Sequence, residues 1–180
     1  MHRRLRTNLV RRTAVHGDFW FGNLLVDGDE ISGVTDWECG AACGEPLRDV
    51  VRFALTYALY LDRHSPAGGR VAGHSGLRTG VWGSGIEFGI NGRGWFPELF
   101  REFVRSGLER LGADPQCWRD ATLAGLAEVA ATADHDAFAR LHWNLFARLS
   151  DTVPAGREAR PLELVPAFAD GKVASPSDAA

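Results

Sequence analysis

Hydrophobic and polar positions change period along this chain, and the changes mark its elements. Residues 23–26 and 30–35 read as two short strands joined by Asp27-Gly28-Asp29, where Asp-Gly favours positive φ, so a small β-hairpin is expected. Thr13, Ala14 and Val15 can form an extended approach to the segment before it. From Pro46 to about Asp62 the apolar residues Leu47, Val50, Val51, Ala54, Leu55, Ala58 and Leu59 follow helical spacing, with Pro46 in the first turn, where a missing N–H costs nothing. Residues 65–94 lose this period and are crowded with glycine, which predicts a long mobile loop. Helical spacing resumes at Leu99, Phe100, Phe103, Val104, Leu108 and Leu111, and Gly112 stands where a left-handed cap stops a helix. Asp114-Pro115 then starts a helix reaching about Ala133, and Phe138, Leu141, Leu145 and Leu149 mark another. The pattern predicts an α+β fold: a hairpin on a mostly helical body, with helices over 46–62 and 96–149. One domain is expected over 1–150, followed by a Pro- and Ala-rich tail, 151–180, that is partly disordered.

Composition narrows the class without naming a function. Hydrophobic residues at 45% and charged residues at 24% are ordinary for a soluble domain. A net charge of −3 argues against a general nucleic-acid binder. The distribution says more: residues 14–50 hold eight acids against the single base Arg48, whereas residues 1–12 hold five arginines and no acid. An acidic block suits a divalent cation, a cationic ligand or simply a solvated face. Cys39, Cys43 and Cys117 form no paired framework, which points to a reducing compartment. The first residues lack the apolar stretch of a signal peptide, and no run approaches the ~18 apolar residues of a membrane span. No membrane partner is expected, and the cytoplasm is the expected location.

Candidate chemistry concentrates in His16-Gly17-Asp18-Phe19-Trp20-Phe21-Gly22-Asn23, followed by Asp36-Trp37-Glu38. Phosphoryl transfer consists mainly of positioning and charge neutralisation, and needs a carboxylate to receive the acceptor's proton and hard oxygens to hold Mg²⁺. Asp18 suits the first task, and Asn23 and Asp36 the second. His16 suits bracing of the loop. Singly these are common turn residues. Their conjunction across one hairpin, which can bring Asn23 and Asp36 to a single ion, points to a phosphotransferase.

Residues 13–55 resemble the catalytic segment of the aminoglycoside phosphotransferase and choline kinase-like family, which is similar to protein kinases in fold. The resemblance implies a kinase-like C-terminal lobe and ATP-dependent phosphorylation of a hydroxyl on a small molecule, aminoglycoside-like or another alcohol. It implies Asp18 as catalytic base and Asn23 and Asp36 as Mg²⁺ ligands, with His16, Glu38 and Asp49 in support. Gly44-Glu45-Pro46-Leu47-Arg48-Asp49 is similar to the family's G-D-P-x-x-D segment with Glu45 in place of Asp. About a dozen residues precede the motif and the sole lysine is Lys172, so the family's N-terminal nucleotide lobe, with its glycine loop and Lys, is expected to be missing. The nucleotide-binding residues are therefore unknown. Two further readings follow: a truncated, non-catalytic remnant or binding module, and one half of a split kinase with a separate N-terminal lobe.

Other features compete less well. Gly83-Ser84-Gly85 begins a G-x-G-x-x-G string, but Phe88 takes the third glycine's place. Trp82, Phe88 and Trp95 can stack on a ligand or bury against helices. His135 and His142 are seven residues apart, unlike a zinc helix's i, i+4 pair, and are expected on the surface.

Overall fold

The computed structural model describes residues 12–63, 74, 77 and 80–151. Among them the chain is α+β, with four short strands in two antiparallel pairs and five helices. The predicted tail from 152 onward and residues 65–73, 75–76 and 78–79 of the predicted glycine-rich loop lie outside the described residues.

Strand β1, Thr13–Val15, leads into the motif and pairs with β4, Ala41–Gly44. Residues 41–44 alternate poorly and were not expected as a strand; pairing with β1 across the whole hairpin defines them. Strands β2, Leu24–Asp27, and β3, Glu30–Val34, make the predicted hairpin, with Leu24 opposite Val34 and Asp27 opposite Glu30. Gly28 takes φ 61° at the first central position of the two-residue turn, as a type II′ connection requires. The register slips by one at Ser32, because Leu25 opposes Gly33 and Val26 opposes Ile31.

Helix α1, Leu47–Arg63, buries Val51, Ala54, Leu55, Ala58 and Leu59, the face that its spacing predicts. Helix α2, Ser84–Asn91, corrects the expectation of an unbroken loop over 65–94. Its glycines serve close packing. A Cβ on Gly85 would lie 2.2 Å from the Ala58 carbonyl oxygen of α1, and one on Gly89 3.0 Å from the Phe100 ring. The same geometry disposes of the partial G-x-G-x-x-G string as a phosphate cradle, since the Gly85 N–H and Ser84 hydroxyl donate to the Asp62 carboxylate of α1, at 2.6 and 2.8 Å.

Helix α3, Trp95–Arg110, starts within one residue of the expected position and buries Phe96, Phe100, Val104 and Leu108. It ends as expected at Gly112, φ 75°. There the Ala113 N–H reaches Leu108 O and the Gly112 N–H reaches Glu109 O, a Schellman cap closed by the buried pair Ala113 and Leu108. Asp114 accepts from the Gln116 N–H, as its predicted capping role requires. Helices α4, Trp118–Thr132, and α5, Asp136–Asp151, pack on each other and close the core with Leu126, Leu145, Phe146 and Leu149. His142 is buried, not on the surface: its Nδ1 bonds the Phe138 carbonyl one turn back at 2.9 Å and its ring meets Trp82. No helix among the described residues is long and apolar enough to cross a membrane.

Two expectations follow from the α1–α2 contact. Gly85→Ala gains about 1 kcal/mol of helix propensity, yet must displace backbone, and overpacking of this kind costs ~1–3 kcal/mol. A net fall in the urea midpoint is expected, and an unchanged or raised midpoint would contradict the close packing.

Burial raises the Asp62 carboxyl above the ordinary Asp value of 3.8, with the Ser84 hydroxyl and the Gly85 and Gly83 amides opposing it. An acid raised in the folded state binds more protons there than in the unfolded chain. Stability is thus lost as pH climbs from 3.8 through the raised value. Thermal unfolding across that window should show wild type losing stability relative to Asp62→Asn; parallel curves would refute the assignment.

Candidate active site

Gly17 fixes the turn that carries the motif. It sits at φ 81°, and any Cβ there would fall 2.1 Å from the Cys39 carbonyl oxygen, so only glycine fits. The flanking amides are held from beneath. Asp49, in the first turn of α1, accepts from the His16 N–H at 2.6 Å and the Gly17 N–H at 2.9 Å, one on each carboxylate oxygen.

Above this anchor a closed circuit of hydrogen bonds ties the motif to the hairpin. The Asp18 N–H donates to His16 Nδ1 at 3.3 Å, and His16 Nε2–H donates to Thr35 O at 2.7 Å. One neutral tautomer, protonated at Nε2, satisfies both. The Thr35 N–H donates to Asn23 O at 2.9 Å, and Asn23 Nδ2–H returns to Asp18 O at 3.0 Å. His16 and Asn23 are buried within this ring of contacts. The Trp37 ring covers His16 at 4.7 Å, and its Nε1–H donates to Val34 O at 3.0 Å.

The circuit determines which atoms are left over. With its side-chain nitrogen committed, Asn23 keeps its side-chain oxygen Oδ1 without a hydrogen bond from any described residue. Asp36 follows Thr35 directly and takes φ 65°, ψ 53°, the one non-glycine residue at positive φ among those described. Such backbone is uncommon outside glycine and gathers at functional sites. Asp36 is exposed, and its carboxylate likewise makes no hydrogen bond or ion pair with a described residue. Two hard oxygen donors suit Mg²⁺, which keeps several waters and phosphate oxygens in its shell and seldom takes a full protein cage. No cluster of three or more His, Cys, Asp or Glu side chains able to hold a metal occurs among the described residues, and Cys39 and Cys43 are both free thiols.

Asp18 points its Oδ1 at the Arg52 guanidinium, one turn along α1 from Asp49. This leaves Oδ2 open. Sequence reasoning missed Arg52, although its place three residues after Asp49 puts both on the face of α1 that meets the loop. Thr35 was missed as well, because its contribution is backbone and no side-chain pattern announces it. Of the proposed residues the structure brings His16, Asp18, Asn23 and Asp49 into one bonded unit with Asp36 next to Thr35. Glu38 stands apart, exposed in the short turn Trp37–Cys39.

A cavity elsewhere among the described residues does not coincide with this chemistry. It holds about 230 Å³ between α1, α3 and α4, lined by Leu47, Val51, Leu108, Cys117, Ala121 and Glu128 among others. Burial raises the Glu128 carboxyl, opposed by Arg48, which lies 3.2 Å away, and by Arg52. Glu45 and Glu128 give this cavity carboxylates of its own, but Asp18, Asn23 and Asp36 are not among its lining residues.

A sequence profile of the phosphotransferase enzyme family matches residues 1–82. The match takes in the motif, the hairpin and α1, in agreement with the resemblance of residues 13–55. No curated protein and no solved structure matches the chain.

Asp49→Asn tests the anchor. An amide presents one acceptor oxygen to two donors, so either the His16 or the Gly17 N–H loses its partner. A buried donor left unpaired costs ~1–3 kcal/mol. Urea unfolding should register that loss, and amide exchange at Gly17 should quicken; unchanged stability and exchange would show that the loop is held by something else.

Proposed function

Because residues 1–82 match the phosphotransferase enzyme family, we propose that this chain forms the kinase-like C-terminal lobe of an enzyme that phosphorylates a hydroxyl of a small molecule from ATP. The observation that carries the reading is the hydrogen-bond circuit. It ties the loop that carries Asp18, with Oδ2 left open, to Asn23 and to Thr35, the residue before Asp36, which supports a role for all three.

In this reading Asp18 accepts the proton of the acceptor hydroxyl as that oxygen bonds to the γ-phosphorus and ADP departs. Arg52 orients the carboxylate through Oδ1 and leaves Oδ2 for the substrate. Asn23 and Asp36 would hold Mg²⁺, which when bound supplies neutralisation of phosphate charge. His16 keeps both halves in register by bonding the Asp18 amide and the Thr35 carbonyl.

The hairpin supports a nucleotide-binding lobe as the remaining component, in this or a separate chain. Leu25, Val26 and Ile31 are 52 to 64% exposed, and β2 and β3 pack mainly on each other. A lone two-stranded hairpin is marginally stable in water. An apolar cover over it would stabilise the strands and close the cleft over the donors of Asn23 and Asp36.

General-base assistance contributes ~10² to 10⁴ in rate. Asp18→Asn should therefore remove most Mg²⁺-dependent transfer from ATP to alcohol acceptors, assayed with the nucleotide lobe supplied, while circular dichroism stays unchanged. Full turnover in that variant would eliminate Asp18 as the base.

A further inference from the structure

We propose that the acceptor of this site carries a flat apolar ring system that lies on an aromatic stripe leading to Asp18. The reaction itself rests on the phosphotransferase reading, whereas the ligand class rests on different residues. Helix α3 buries Phe96, Phe100, Val104 and Leu108 but leaves Trp95, Leu99 and Phe103 at 39 to 56% exposure. These three recur every four residues and so form one continuous strip along the helix. Scattered exposed apolar residues are ordinary, but an aligned row of large ones marks a contact surface. Tyr57 and Tyr60 of α1, 37 and 41% exposed, widen it.

The strip is continuous with the catalytic loop. Phe103 stacks on Phe53 with ring centres 5.3 Å apart and 29° between planes, and Phe53 meets Phe19 at 5.3 Å, the residue after Asp18. Phe21, two residues further on, stands edge-on to Tyr60 at 5.0 Å and to Tyr57 at 6.1 Å. A planar ligand stacked here would have its edge directed at the loop that presents Asp18 Oδ2. Aromatic faces favour offset-stacked and edge-to-face partners, a geometry that fused-ring ligands satisfy.

Charge argues for a largely uncharged ligand. Of the acids in the 14–50 block, Asp49 is taken up by two loop amides, Asp18 by Arg52 through one oxygen, and Glu45 by the Leu47 amide at the start of α1, while Asp27, Asp29, Glu30, Asp36 and Glu38 belong to the hairpin and the turn after it, not to the strip. Every position of the strip is uncharged. Glu98 and Glu102 flank it on the exposed side of α3, where water screens them, and Glu102 accepts from the Ser106 hydroxyl at 3.3 Å.

The test is equilibrium binding to the full chain, followed by tryptophan fluorescence and calorimetry, of a neutral fused-ring alcohol, 2-naphthol, and a polycationic aminosugar, kanamycin. The inference requires 2-naphthol to bind more tightly, and Leu99→Asn to weaken it by roughly tenfold, as loss of a buried leucine contact would. Leu141→Asn, an exposed leucine on α5 away from the strip, should leave binding unchanged. Trp95→Gln serves as the second variant should Leu99→Asn fail to fold.

Tighter kanamycin binding, or 2-naphthol binding indifferent to both strip variants, would overturn the ligand class without touching the reaction. A dimer in solution that Leu99→Asn dissolves would assign the strip to a second copy and overturn it too. Strip-dependent binding of 2-naphthol with no phosphoryl transfer to it from MgATP, when the nucleotide lobe is supplied, would sustain the apolar surface and defeat the phosphotransferase reading instead.

Discussion

The Asp49 carboxylate is the contact on which the site depends. It takes two successive amides, His16 and Gly17, on its two oxygens, and it stands in the first turn of α1, where a negative charge is favoured by the helix N-terminus. The position of α1 is in turn set by Val51, Leu55 and Ala58, each almost fully buried. Core packing thus fixes the helix, the helix fixes one carboxylate, and that carboxylate fixes the turn that presents Asp18. Everything above it is relayed: His16 carries the geometry across to Thr35, and Thr35 delivers Asp36.

Elements governed by neighbours in sequence could be read from the chain alone. The Asp-Gly turn, the hairpin, the buried face of α1, the Gly112 cap and the Asp114 cap depend on residues within one or two turns of one another, where periodicity and cap chemistry carry the signal. What escaped reading depends on distant partners. Strand β4 exists because β1 lies beside it, some thirty residues earlier. Helix α2 was hidden by its own glycines, which count against a helix in isolation and are required by Ala58 and Phe100 once the helix is docked. His142 pairs with a carbonyl of its own helix and can therefore be buried.

The same distinction runs through the site. The residue types and spacing of Asp18, Asn23 and Asp36 were visible, because metal and base chemistry restrict which side chains can serve. Arg52 and the Thr35 backbone were not, because their roles follow from orientation: a guanidinium one turn from Asp49, and a carbonyl whose direction depends on the β2–β3 register. The slip at Ser32 shows how sensitive that register is, since a one-residue shift turns each side chain to the opposite face.

The two sides of the site are built from opposed kinds of interaction. Toward the hairpin, oxygen donors are assembled by hydrogen bonds that consume the nitrogen atoms and leave the oxygens free. Toward α3, the chain presents a strip of Trp95, Leu99 and Phe103, with Glu98 and Glu102 at its flank. Arg52 lies at the junction, drawn toward both Asp18 and Glu128, and its buried Nε has no hydrogen-bond partner in either direction. Glu128 in turn holds Arg48. The Arg52 contact keeps one Asp18 oxygen occupied and leaves the other without a described partner. In the reaction we propose, the acceptor's hydroxyl would meet that single open oxygen.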